Sequence, residues 1–437
     1  MTQPNCRRSL HLGLLSAALS GGALALTTAV ALVVSPTLTG TVEAALQDSP
    51  KTVVDEAWQI VNREYVDPQF NRVDWQQVRR DLISRRYSSR ADAYTALRDA
   101  LKRLDDPYTR FLDPQQFQAL TTQTSGELTG VGIRLELNEK TKALTVVEPI
   151  ENSPALRAGV QAGDRILKID GRTTEGMSLE AASNLIRGRA NTQVRLMLER
   201  QGRPSFELTL ARARIDLPAV RSAVRTEGDR KVGYIRLNEF SAHAAEQMRA
   251  AIQSLNAQKV DAFVLDLRGN PGGLLSSGIE VARMWIDDGG IVRTVDRNGK
   301  ADQARANGTA LTNLPLAVLV DAGSASASEI VTGALKDNNR AVVVGTPTFG
   351  KALVQSVHSL SDGSGLAVTI AHYYTPAGTD ISQRGITPDV AISLTDEQRQ
   401  ELASHPDTIG TNIDPQYKQA IAHLSRTAGA SRPTAGL

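Results

Sequence analysis

Cysteine is almost absent. Cys6 is the only one in 437 residues, so no internal disulfide can form and no thiolate cage of the zinc-finger kind can be built. Histidine is scarce as well: His11, His243, His358, His372, His405 and His423 are scattered and form no HExxH pair, which argues against a zinc hydrolase and leaves no metal site. Charge of one sign is also lacking. With 49 Lys plus Arg against 47 Asp plus Glu, the net charge is +2, which offers no broad cationic surface to a phosphate backbone, so no nucleic acid partner is expected. What remains is an ordinary globular composition, 41% hydrophobic and 22% charged. The length suits roughly two to four domains at about 150 residues each.

Arg7 and Arg8 precede an uncharged stretch from Leu12 to Val34, and Val42-Glu43-Ala44 before Ala45 is a small-residue cleavage pattern. Residues 1–44 therefore read as an export signal. Retained, the same stretch could span the ~30 Å of a hydrocarbon core, so a membrane association is expected only if it is not removed. The arginine pair permits either a general or a twin-arginine export route.

Three regions follow. From 50 to 120, apolar residues recur at helical spacing, as in Val53, Val54, Ala57, Trp58, Ile60, Val61 and Val78, Leu82, Ile83, which predicts a helical N-terminal region. Its last part, Leu104-Asp105-Asp106-Pro107-Tyr108-Thr109-Arg110-Phe111-Leu112, reads as a turn because Pro107 disfavours helix before it. From 121 to 215 short β-runs alternate with glycine turns, with one helical piece near Leu179 to Ile186. From 216 to 425 strands and helices alternate, the pattern of an α/β layer architecture. Ala262 to Leu267, Leu316 to Val320 and Ala341 to Val344 are nearly continuous apolar runs, as for strands covered on both faces. Each ends in a glycine-containing loop, where open α/β sheets place their sites. Residues 426–437, rich in small side chains, read as a mobile tail.

Gly345-x4-Gly350-Lys351 has the outline of a phosphate-binding loop. Position 352, however, is Ala where a Ser or Thr hydroxyl is needed for Mg²⁺, and Ala352 to Val357 reads as strand rather than helix. No nucleotide is expected. In Ser324-Ala325-Ser326-Ala327-Ser328-Glu329, Ser326 would lie at a strand-to-helix turn, where helix N-terminal N–H groups can stabilise an oxyanion. Its base is open from the residues alone. His358 and His372 occupy alternating strand-like runs, whereas Lys351 has apolar neighbours whose desolvation would lower its pKa toward a neutral amine.

Two resemblances sharpen this reading. Gly130-Val131-Gly132-Ile133, Ser153-Pro154-Ala155, Ala158-Gly159, Gly163-Asp164-Arg165-Ile166-Leu167 and Ile169-Asp170-Gly171 closely resemble the PDZ domain. That resemblance implies that backbone N–H groups around Val131, Gly132 and Ile133 bind a terminal carboxylate while the ligand adds a strand to the sheet edge. Gly233 to Ser241, Asp266 to Gly273, Ser324 to Glu329, Thr348 to Lys351 and Tyr373 to Gly378 resemble the carboxyl-terminal processing peptidases, or tail-specific proteases. The match runs from about residue 50 to 395 and takes in Leu104 to Leu112. It implies an α/β, or multidomain α+β, fold: a crotonase- and Clp-protease-like core with an inserted PDZ domain and a helical N-terminal region. It also implies Ser326 as nucleophile, Lys351 as general base, Gln355 as the group orienting the lysine, and the N–H groups of Gly272 and Ala327 as oxyanion hole. No cofactor or metal is implied. Asp337 matches an acidic position of the family; as an exposed helix-end carboxylate it has an equally ordinary explanation. Thr346, Ala352 and Thr379 depart from the family's usual Glu, Gly and Arg or Lys.

The implied partners are proteins with exposed C-terminal tails. Glu56-Ala57-Trp58, Arg63 to Asp67, Phe70-Asn71 and Asp74-Trp75 are similar to members from oxygenic phototrophs, which remove the C-terminal extension of the photosystem II reaction-centre precursor in the thylakoid lumen. A periplasmic paralogue with general processing duties is the alternative. A PDZ adaptor on an inactive hydrolase core would lack the nucleophile or the base, and both are present.

Overall fold

A computed structural model describes residues 49–138 and 141–430. The segment read as an export signal and the final part of the expected tail lie outside the described residues. Among the described residues no helix is long and apolar enough to cross a membrane.

Helices α1 (Pro50–Glu64), α2 (Trp75–Ser84) and α3 (Arg90–Lys102) begin where Ser49, Asp74 and Ser89 accept first-turn N–H groups with their side chains. Their apolar faces close on one another, with Trp58 and Trp75 stacked at 6.4 Å. This core is shared. Leu360, Leu366 and Val368, from far along the chain, are part of it. The chain then forms β1 (Arg110–Leu112) and α4 (Pro114–Ser125), which ends at Gly126 in the left-handed region, φ 69°.

The next module contains β2 (Glu127–Gly130), β3 (Ile133–Leu137), β4 (Leu144–Pro149), α5 (Pro154–Arg157), β5 (Arg165–Ile169), β6 (Arg172–Thr173), α6 (Leu179–Ile186), β7 (Gln193–Glu199), β8 (Phe206–Ala211) and β9 (Ala213–Asp216). One sheet runs β3-β4-β5-β7-β8 over a core of its own that includes Val131, Val146, Ile166, Ala182 and Leu196. The Asp of Gly163-Asp164 is fully buried and held by a fork from Arg200, at 2.6 and 2.8 Å. The two connections to the rest of the chain lie side by side as the antiparallel ribbon β2–β9.

The remainder holds β10 (Val220–Glu227), β11 (Arg230–Leu237), α7 (Ala244–Ala257), β12 (Ala262–Asp266), α8 (Leu275–Arg283), β13 (Gly290–Asp296), β14 (Ala301–Arg305), β15 (Leu316–Val320), α9 (Ala327–Asp337), β16 (Val342–Gly345), β17 (Leu353–Ser359), β18 (Gly365–Tyr374), β19 (Val390–Ala391), α10 (Asp396–Ser404) and α11 (Pro415–Ala430). The main sheet has the order β10-β11-β12-β15-β16-β19 and is parallel from β11 onward. Side chains alternate between its faces. Phe263, Leu265 and Val318 pack with residues of α7, α8 and α9, while Val264 and Leu319 pack with Tyr417, Ala420 and Leu424 of α11, so the strands are apolar on both sides. Helix α11 continues through Ala430, past the position where the sequence reads as tail. A second sheet runs β1-β18-β13-β14 with β17 on β18. Because β1 pairs with β18, Arg110 opposite Ala367, the helical region is built into this sheet.

Candidate active site

Three parallel strands deliver three loops to one edge of the main sheet. After β15 the chain turns sharply into α9, and Ser326 occupies that turn with φ 54° and ψ −113°, a conformation that costs a non-glycine residue about 1–3 kcal/mol. The same strained strand-to-helix turn exposes the serine of hydrolase nucleophile elbows. The Ser326 N–H donates to Glu329 Oε2 at 2.9 Å. The neighbouring serines are committed elsewhere: Ser324 Oγ donates to the Leu267 carbonyl at 2.8 Å and Ser328 Oγ to the Asn270 carbonyl at 2.9 Å, both fully buried.

Lys351 follows β16 and the loop after it. Its ammonium lies 4.8 Å from the centroid of the Tyr108 ring. Burial is the main force pulling its pKa down, to about 8; the Arg110 charge adds to this, and Asp106 and Glu329 oppose it. Ser326 and Lys351 line one cavity of about 400 Å³ together with Gln355, Gly272, Tyr108 and Glu239. The chain continues from Lys351 into β17, not into a helix, which removes the phosphate-binding alternative.

The other residues named from the sequence are placed as follows. A Cβ on Gly272, φ 97°, would lie 2.6 Å from the Ala325 carbonyl oxygen and 3.0 Å from the Ala327 nitrogen, so the two backbone segments meet without room for a side chain. The Gly272 N–H donates to Asn270 Oδ1 at 2.9 Å. The Ala327 N–H opens α9 and belongs to the first turn, whose amides lack intrahelical acceptors. Gln355 lines the cavity, but its Nε2 is buried without a hydrogen-bond partner; the Lys351 amine is covered by Tyr108 instead. Asp337 is not part of this site: it accepts the Ala377 N–H at 2.8 Å at the far end of α9. His358 pairs with Glu64 at 2.7 Å, and neither it nor His372 lines the cavity. In the smaller module the Val131 and Gly132 carbonyls accept N–H groups from Ala155 and Ile150. These bonds fix the loop before Ile133, and Ile133 opens β3, a strand with a free edge beside which a peptide can pair.

Sequence reasoning missed the residues that join the loops. Glu329, fully buried, accepts from the Ser326 N–H, the Thr348 hydroxyl at 2.6 Å, and the N–H groups of Gly350 and Lys351 at 2.7 and 2.9 Å. It ties the serine loop to the lysine loop. Ser-x-x-Glu at a helix start is a visible capping signal and could have marked it. The Tyr373 hydroxyl donates to the carbonyls of Ser326 and Lys351, and Asn270 joins Gly272 to the serine loop by accepting the Ala325 N–H at its carbonyl. Of the segment read as a plain turn, Tyr108 covers the lysine and Arg110 acts on it through its charge. Beneath the Gly272 loop, Arg268 is held in a buried network by Asp266 and Asp414, with contacts of 2.6 to 3.0 Å. Burial alone would raise the Asp266 carboxyl, but the Arg268 guanidinium, with Arg236 and the Tyr234 hydroxyl, holds it below the ordinary aspartate range.

One group of possible metal ligands, Glu127, Asp216 and His243, exists among the described residues. Glu127 also pairs with Arg214 at 3.1 Å. The group reads as an ion-pair cluster between the β2–β9 ribbon and α7.

Residues 231–392 match peptidase family S41, and residues 145–200 match the PDZ domain. The chain is 43% identical over 372 residues to the carboxyl-terminal-processing protease of Synechocystis sp., covering 85% of this chain and 86% of the relative. It is 40% identical to carboxyl-terminal-processing peptidase 2, chloroplastic, of Arabidopsis thaliana, covering 83% and 74%. The solved photosystem II D1 C-terminal processing protease superposes with a TM-score of 0.53 at 38% identity, covering 84% of this chain and 99% of that one.

Proposed function

Since the chain belongs to peptidase family S41, as a carboxyl-terminal processing serine peptidase that carries a PDZ domain and acts on protein tails, we propose that Ser326 and Lys351 are its catalytic dyad. The observation that carries this reading is the strained, half-buried position of Ser326 in one cavity with a lysine whose partly buried amine is pulled down to about 8. The neutral amine accepts the Ser326 proton as Oγ attacks a peptide carbonyl, then returns it to the leaving amine; water releases the acyl-enzyme through the same base. The Ala327 N–H and the Gly272 N–H receive the oxyanion, whose charge outcompetes the neutral Asn270 amide oxygen for the glycine donor. Gln355 stays near the lysine as a positioning group. The N–H groups around Val131, Gly132 and Ile133 hold the substrate's terminal carboxylate while the tail pairs with β3.

The substrate reading is the C-terminal extension of the photosystem II reaction-centre precursor, in the thylakoid lumen. It is supported by the likeness to a cyanobacterial and a chloroplast relative and to a D1 processing protease. Residues 1–44 would supply the export signal; a periplasmic paralogue is the alternative.

The test is incubation of the chain, Ser326→Ala and Lys351→Ala with an unstructured protein ending in an apolar tail and with a precursor peptide, read by gel and mass spectrometry. Cleavage near the tail by the native chain alone supports the dyad. Cleavage surviving either substitution removes it. Binding of tails with no cleavage by the native chain favours an adaptor.

A further inference from the structure

The cleavage cavity has an uneven distribution of charge. The start of β1 and the loop after β16 bring Arg110 and Lys351 to it. Residues 239–241, tied to α4 by the Ala242 N–H on the Thr124 carbonyl at 2.9 Å, bring Glu239, with Leu120, Gln123 and Thr124 beside it. Glu239 is half-buried, and among the described residues no lysine, arginine or histidine pairs with it. Burial pushes its carboxyl above the ordinary glutamate range, and only the Gln123 side chain acts in the opposite direction. An anionic group facing a cavity from which water is partly removed, with no cation of its own, gains from a cation brought by a ligand.

Resting on the reading that this cavity receives the peptide, we propose that Glu239 is a specificity residue that binds a lysine or arginine side chain of the substrate close to the scissile bond. A Lys or Arg side chain has a long apolar stem with a charged head. That shape matches a cavity whose lining combines the half-buried apolar side chains of Leu120 and Leu274 with Glu239. The preference is separate from tail recognition by the PDZ module, which concerns the terminal carboxylate.

The experiment is a peptide series with one apolar C-terminus, in which lysine or norleucine is moved through the positions flanking the cut. The native chain should favour lysine at one position by about tenfold in kcat/KM, as for a partly desolvated charge pair of ~1.4 kcal/mol. In Glu239→Gln the lysine-to-norleucine ratio should fall to about one, and Glu239→Asp should recover part of it. The same ratio is read as binding affinity in Ser326→Ala, by fluorescence anisotropy, so the inference is tested even if the dyad reading fails. No lysine preference at any position, or a preference that survives Glu239→Gln in both measurements, overturns it.

Discussion

The neutral fraction of Lys351 depends on the ring that covers it. With a pKa of about 8, roughly one quarter of the lysine is neutral at pH 7.5, so kcat/KM should rise with pH and level off above 8. Tyr108→Ala removes two opposing effects. Loss of the cation–π contact at 4.8 Å would lower the pKa, by about 0.7 unit if the contact is worth about 1 kcal/mol. Loss of cover admits water and raises it, up to the ordinary 10.5 from which burial is the largest cause of departure. The second effect is larger. Complete return to 10.5 would leave about one lysine in a thousand neutral at pH 7.5, a ceiling of ~240-fold in rate; recovery of half the shift gives ~14-fold. The assay is the pH dependence of kcat/KM on a fluorogenic peptide for both proteins. The variant should lose about tenfold at pH 7.5 and regain activity near pH 10. A native profile without a rise between about pH 7 and 9, or a variant profile displaced toward acid, would refute the reasoning.

Glu329→Gln should lower kcat more than it changes KM and reduce stability by about 2–4 kcal/mol in urea, because a donor amide then faces backbone N–H groups that had a carboxylate. Arg268→Met leaves Asp414 buried without its cation and Asp266 with only Arg236, at 3.5 Å; a loss of about 3–5 kcal/mol is expected in the same melt. Since the native Asp266 pKa is depressed, its contribution is present above the ordinary aspartate value and is lost as pH falls through the lower, folded value, so the variant should differ least from native in strong acid. Gly272→Ala, with its Cβ 2.6 Å from the Ala325 carbonyl, should cost on the order of a hundredfold in kcat while far-ultraviolet circular dichroism stays native.

Local physics made much of this architecture legible. Strands such as Leu316–Val320 are apolar at every position because α11 covers the face that α7 to α9 leave open, and a continuous run reports that double cover directly. The β17 strand could be read because position 352 and its successors lack helix-start chemistry. Long-range contacts were not legible. Tyr108 and Arg110 reach the lysine only because β1 joins β18, and nothing in a short turn announces a partner far down the chain. The pairing of Arg268 with Asp414 spans 146 positions and leaves no local trace. Glu329 was visible as a helix cap, but the four groups that converge on it come from loops whose meeting only the fold determines.

The Arg268 network has a consequence for the order in which the chain becomes active. The loop that carries Gly272 rests on a carboxylate from the start of α11, almost the last helix to be synthesised, while the cover of Lys351 comes from one of the first segments. A nascent or truncated chain that ends before Asp414 already holds the serine, the lysine and the tail-binding module, yet lacks the support beneath Gly272. A chain truncated before Asp414 is therefore expected to keep the serine, the lysine and the PDZ domain and yet to lose cleavage, so that activity waits on a late segment of the chain.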